Sequence, residues 1–181
     1  METVEAALIE RCRRGDAEAF GDIVRAYAGR ATGAAMLLLG NHDDALDASQ
    51  EAFVRAWRNI RRLKCNRAFY SWYCTILRNV CLDRLRRRAR RKTVDLPDDH
   101  PDPAENTGPG TLAEKNEQTE RVWNAVTMLP LNHREIIVMS HFQEMSYKEM
   151  AEALGIPIGT VMSRLYHARQ RLREMLEKDR P

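Results

Sequence analysis

Residues 93–111 read TVDLPDDHPDPAENTGPGT, and no compact core can be built through them. Pro97, Pro101, Pro103 and Pro109 interrupt any regular element, and Gly108 and Gly110 loosen the chain further. Large apolar side chains are almost absent, so the stretch cannot bury enough surface to offset the entropy of ordering it. It reads as an extended acidic linker dividing a chain of 181 residues into two small units. On either side, apolar residues recur at helical spacing, and no run alternates as a strand would. The expected fold class is all-α: two helical domains at 1–92 and 118–181, tethered by a flexible linker over 93–117.

The first unit ends in FYSWYCTILRNVCLDRLRRRARRK, residues 69–92. Phe69, Trp72, Tyr73, Ile76, Leu77 and Val80 form one helical stripe and are expected to face a core, Trp72 holding the helix in its lobe. Thr75, Arg78, Asn79, Asp83, Arg86 and Arg90 lie on the other side. One or two cations suit the last turn of a helix. Arg84, Arg86, Arg87, Arg88, Arg90, Arg91 and Lys92 exceed that need, and Asp83 is the one acid beside them in sequence.

The net charge of +3 conceals a strong segregation. Residues 55–92 carry 14 basic and 1 acidic side chains, between an acidic block at 1–54 (5 and 10) and another at 93–120 (1 and 8). Such a block is the electrostatic footprint of a phosphate-binding surface.

Other classes are disfavoured. The longest apolar run, AAMLLL at 34–39, is too short for a bilayer span. The start, METVEAALIERCRRGD, lacks the basic-then-apolar order of a signal peptide. Cys12, Cys65, Cys74 and Cys81 form no CxxC pair and read as reduced structural thiols of a cytoplasmic protein. No His, Cys or carboxylate set has metal-ligand or acid–base spacing. No catalytic residue, metal or cofactor is therefore expected.

Within the first unit, GDAEAF (15–20) and GNHDDA (40–45) read as helix starts capped by Asp16 and Asn41. The helix after Asn41 is expected to bury Leu46, Phe53, Ala56, Trp57 and Ile60, leaving Asp47, Gln50, Glu51, Arg55 and Arg58 on an exposed polar stripe. Residues 61–68, RRLKCNRA, break the pattern as a basic loop.

The second unit is more specific. Residues 133–176 read as helix, short helix, tight turn, helix. Ser146 and Glu149 make an S-x-x-E capping box, Gly155 suits a left-handed C-cap, and Pro157 opens the last helix. There Val161, Leu165, Ala168, Leu172 and Leu176 form the buried stripe, so Thr160, Ser163, Arg164, His167 and Arg171 face outward. A helix–turn–helix offering such donors is suited to reading a DNA major groove.

These residues carry a family resemblance over nearly the whole chain. DDALDASQEAFVRAW resembles the segment of extracytoplasmic-function (ECF) sigma factors, of the sigma-70 family, that binds the β′ clamp helices of core RNA polymerase. AFYSWYCTILRNVCLDRLRR resembles the segment that opens and reads the −10 element. LPLNHREIIVMSHFQEMSYKEMAEALGIPIGTVMSRLYHARQRL is similar to the domain that reads the −35 element. The resemblance implies a sigma factor that directs promoter-specific initiation. Its partners would be core polymerase (β′ clamp helices and β flap), promoter DNA and a controlling anti-sigma factor, with no membrane insertion.

By that resemblance, Asp47, Gln50, Glu51 and Arg55 dock on polymerase. Leu63, Lys64, Asn66 and Arg67 belong to a loop that captures an unstacked −10 base, with Asn79 near its pocket and Phe69 or Tyr70 at its border. Arg78 and Arg86 serve the same −10 surface. The −35 set is Thr160, Met162, Ser163, Arg164, Tyr166, His167, Arg169 and Arg171. Met162 departs from the family, which usually has Lys or Arg there, and His167 takes another commonly basic position. Both lessen phosphate attraction. A two-domain repressor would explain the helix–turn–helix but leaves the Asp47–Gln50–Glu51 stripe and the basic block without a use.

Overall fold

The computed structural model describes residues 2–63, 65–94 and 117–178, without the side chains of 2–5, 67, 92–94 and 117. The linker expected before Glu117 and the side chains of Lys64, Arg67 and Lys92 lie outside the described residues. Within them the chain is all helix: α1 (Glu2–Arg13), α2 (Ala17–Leu39), α3 (His42–Asn59), α4 (Phe69–Val94), α5 (Glu117–Thr127), α6 (Leu131–Ile137), α7 (Tyr147–Leu154) and α8 (Ile158–Lys178). Two short 3₁₀ turns, Ile60–Arg62 and Asn66–Ala68, join α3 to α4, and a π-helical turn over Val138–Phe142 continues α6.

Local chemistry sets the boundaries. Asp16 accepts a hydrogen bond from the Ala19 amide at 3.0 Å, and Asn41 from the Asp44 amide at 2.9 Å, so both expected caps form. Gly40 ends α2 in the left-handed conformation, φ 73°, where a Cβ would be strained.

In the first domain α1, α3 and α4 pack around α2. Phe53 stacks on Tyr73 at 4.5 Å between ring centroids, and Phe20 meets both Phe53 and Trp57. The buried side of α4 is Phe69, Tyr73, Cys74, Leu77, Val80 and Cys81. Trp72 and Ile76 fall on its half-buried flank, packed against the edge of the core rather than inside it, and Trp72 meets Phe69 at 6.0 Å between ring centroids. Leu46, expected inside, is 42% exposed; the true core side of α3 is Ala45, Ala48, Ser49, Ala52, Phe53 and Ala56. An extra step around the helix sets Leu46 beside Asp47, not beneath it. Burial pushes the Cys74 and Cys81 thiols up to about 12, as inert structural cysteines require, while Cys65 is exposed.

In the second domain α5, α6 and α7 support α8. The expected capping box is present, with Ser146 and Glu149 exchanging hydrogen bonds, and Gly155 closes α7 at φ 64°.

The two expected domains also pack against each other. α2 touches α5, α6 and the π turn on the side it turns away from the first domain's core. Trp123 lies over Gly33 there, its Cη2 3.8 Å from where a Cβ would stand, an ordinary contact distance, and Trp123 meets Phe142 edge-on. This is why AAMLLL in α2 is buried all round: each face of that turn has a neighbour.

Candidate polymerase and promoter interface

The polar stripe of α3 divides into two parts. Asp47 and Gln50 are exposed, flanked by the exposed apolar side chains Leu46 and Val54. Glu51 is instead held in a network: its two carboxylate oxygens accept from Arg55 at 2.6 Å and from Arg84 of α4 at 3.1 Å. Partial burial pushes its pKa up, but the Arg84 and Arg55 hydrogen bonds outweigh that and hold it below the usual carboxylate range. Arg84 also faces Asp44 and Asp47, each at 3.7 Å. The basic helix is thus partly neutralised by α3, which the sequence order hid. Arg86, Arg87, Arg88, Arg90 and Arg91 remain exposed. Arg86 lies 3.3 Å from Asp83 in a surface pair that solvent screens.

The loop before α4 borders a cleft of about 390 Å³ lined by Arg62, Leu63, Cys65, Ser71, Trp72 and Thr75, with Glu149 and Glu152 of α7 on its far side. Trp72 supplies the aromatic wall, while Phe69 is fully buried and Tyr70 stacks on Tyr27 beside α2 at 4.7 Å. Trp72 thus takes the bordering place expected of Phe69 or Tyr70. Leu63 is buried at the loop's base. Asn66 is bound inward, donating to the Ala6 carbonyl and to Glu10 while accepting from Arg13. Asn79 is exposed one turn beyond Thr75, outside the cleft lining. Arg78 turns from that surface into an ion pair with Glu135 at 3.1 Å.

On α8, Val161, Leu165 and Ala168 are buried, and Leu172 and Leu176 are half-buried, as the stripe predicts. Met162, Ser163, Tyr166, His167 and Arg171 are exposed; Thr160 and Arg164 are half-buried. The Ser163 hydroxyl donates to the Thr160 carbonyl, and Gln170 donates to the Tyr166 hydroxyl. Arg169 leaves the group, since its Nε donates to His141 at 3.2 Å beside the separate groove between α5 and α8. Burial depresses the His133 pKa, with Arg171, His167 and Arg164 adding to the effect. These four residues line one shallow surface together with Ser163, Gln170 and Glu174.

An arginine-rich helix in one domain and a helix–turn–helix in the other give a single chain two cationic surfaces, the plan of a sigma-70-class initiation factor. Family models agree: sigma-70 region 2 matches residues 23–91, and sigma-70 region 4 matches 119–172. The chain is 31% identical to the ECF RNA polymerase sigma factor SigW of Bacillus subtilis, over 97% of this chain and 98% of that one. It is 34% identical to SigE of Mycolicibacterium smegmatis, over 87% and 61%. Among solved structures, CnrH in complex with the cytosolic domain of CnrY superposes with a TM-score of 0.72 at 26% identity, covering 97% of this chain and 99% of that one. RpoE from Bartonella quintana, in complex with the anti-sigma factor NepR, gives 0.69 at 28% identity, covering 89% and 98%. The chain belongs to the ECF family of RNA polymerase sigma factors. It acts with core RNA polymerase in promoter-specific transcription initiation, recognising −35 and −10 elements and melting the −10 region. Among the described residues no helix is long and apolar enough to cross a membrane, and no three His, Cys, Asp or Glu side chains converge as a metal would require.

Proposed function

We propose that residues 1–92 hold core polymerase and the −10 element, that 93–117 connect, and that 118–181 read the −35 element. Asp47 and Gln50 meet the β′ clamp helices directly, with Glu51 and Arg55 shaping that face from behind. Arg86 tracks −10 phosphates, Asn79 lies beside the strand path, and the Trp72-walled cleft takes the unstacked base. Arg78 joins them once freed from Glu135. Met162, Ser163, Tyr166, His167 and Arg171 read the −35 groove, with Thr160 and Arg164 at its edge. The protein acts by binding, not by catalysis, in the cytoplasm. One similar structure is CnrH in complex with the cytosolic domain of CnrY, and another is the sigma factor RpoE in complex with the anti-sigma factor NepR; the second supports control of this chain by an anti-sigma factor too.

The observation that carries the reading is α8. A capped α7 and a left-handed Gly155 set it behind a tight turn with Val161, Leu165 and Ala168 buried and its polar side in solvent. Run-off transcription with purified core polymerase on a pool of genomic templates tests it. Discrete transcripts that require this protein are expected, sharing −35 and −10 sequences upstream of their starts. Core polymerase giving the same products with and without the protein would overturn it.

A further inference from the structure

We propose that Ile158, Met162 and Tyr166 form an apolar ridge on α8 that reads the C5 methyl groups of thymines in the −35 element. The inference rests on the assignment of that element to α8. A helix on a protein surface needs one apolar stripe, and α8 already buries one at Val161, Leu165 and Ala168. It carries a second on its outward side, where Ile158, Met162 and Tyr166 are 46%, 53% and 60% exposed. They stand four residues apart, the spacing of one continuous row along a helix. Among the described residues eight large apolar side chains are exposed, and three of them fall in this one row. Apolar side chains gathered in this way mark a surface that a partner covers.

The chemistry of the groove selects what covers it. The ridge adjoins Ser163 and His167, assigned above to the same duplex, and the thymine methyl is the apolar group that base edges present in the major groove. Each step of four residues advances about 6 Å along the helix, roughly two base-pair rises. The whole row spans about 12 Å, the width of the groove, and it begins at the helix end that meets base edges. Gly159, beside the ridge, has nothing within 4 Å of where a Cβ would stand, so the backbone there can come close to the bases. Tyr166 is held in place. Its hydroxyl accepts from the Gln170 amide at 2.9 Å, and its ring meets His167 edge-on at 5.4 Å between centroids. A fixed ring packs on one methyl position and not on its neighbours, which makes Gln170 a positioning residue. Met162, with its flexible thioether, fits the methyl between.

The test uses holoenzyme assembled from the full chain and core polymerase, on a duplex promoter mapped by run-off transcription. Each −35 thymine is replaced in turn by deoxyuridine, which pairs identically and lacks only the C5 methyl. Competition anisotropy should show a loss of about four-fold at each contacted thymine, the worth of one buried methyl. The sensitive thymines should lie about two base pairs apart, the spacing of the ridge. Met162→Ala should bind the thymine and uracil duplexes equally at one of these positions, and Ile158→Ala at another. Both variants should keep the wild-type salt slope, because an apolar contact releases no counterion. Gln170→Ala and Tyr166→Phe break the same hydrogen bond from opposite ends, so both should lower discrimination at one shared thymine. The deoxyuridine scan alters no residue, so its outcome does not depend on how any variant folds. Wild-type holoenzyme indifferent to every uracil, or variants that keep the full uracil penalty, would overturn the proposal. Indifference of wild-type holoenzyme to a scrambled −35 element would instead remove the −35 assignment beneath it.

Discussion

His133 lies among Arg164, His167 and Arg171, so its protonation is opposed first by burial and then by these neighbours. A DNA phosphate brought to this surface reverses the sign of the local field and raises the pKa, so binding takes up a proton. Affinity for a −35 duplex is therefore expected to be higher near about pH 6 than near about pH 8, levelling off below the free-state value. The depressed pKa also means that the free protein loses stability as pH falls through the ordinary histidine value of 6.5, because unfolding then binds the proton. Anisotropy titrations at several pH values read the first effect; a flat profile would mean that these histidines do not face the duplex. Met162, 53% exposed on α8, tests the neighbouring part of the outward side of that helix. Its thioether can pack on a thymine methyl but cannot pair with a phosphate. Met162→Arg is expected to tighten duplex binding and steepen its salt dependence by about one phosphate contact. An unchanged salt slope would place position 162 away from DNA.

At the scale of elements, most of what was legible came from turn chemistry and stripes. Asp16, Asn41, the Ser146–Glu149 box and Gly155 each act through their nearest neighbours in sequence, so their roles can be read without knowing the fold. The errors came where a second element decides. Leu46 lies at the edge of its stripe, where one step around the helix separates core from solvent. Asn66 turned inward because α1 brings Glu10 and Arg13 to it, and Arg84 is neutralised because α3 lies alongside. No local pattern announces either pairing, nor the π turn after α6. The stripe on α3 shows the consequence. Gln50 is exposed, so Gln50→Ala should weaken polymerase binding with a stability change under about 0.5 kcal/mol. Glu51→Ala should weaken it too, but also lower the melting temperature, because Arg55 and Arg84 lose a shared partner. Core affinity and thermal melting measured on both variants separate the roles. Equal melting temperatures would show that the Glu51 network contributes nothing to the fold.

At the scale of the molecule, the AAMLLL run did hold information that its length alone did not reveal. A helix turn apolar on every face needs neighbours on every face, and a three-helix surround for α2 leaves one side open; α5, α6 and the π turn close it. One apolar cluster therefore runs from Ile9 through Leu37 and Leu77 to Ile136 and Leu165, crossing the linker-separated halves. Domains that share a core should unfold together. Wild-type protein is expected to melt in a single cooperative transition. Trp123 lies over Gly33 of α2 at the boundary between the halves but is only part-buried, so Trp123→Ala should cost about 2 kcal/mol, less than the loss from a fully buried aromatic. Its larger effect should be on cooperativity: with the boundary weakened, each domain keeps its own helices but melts at its own temperature. Differential scanning calorimetry reads both outcomes. The calorimetric and van't Hoff enthalpies should agree for wild type and diverge for the variant. Two resolved transitions in the wild-type protein would mean that the packing along α2 does not join the halves into one folding unit.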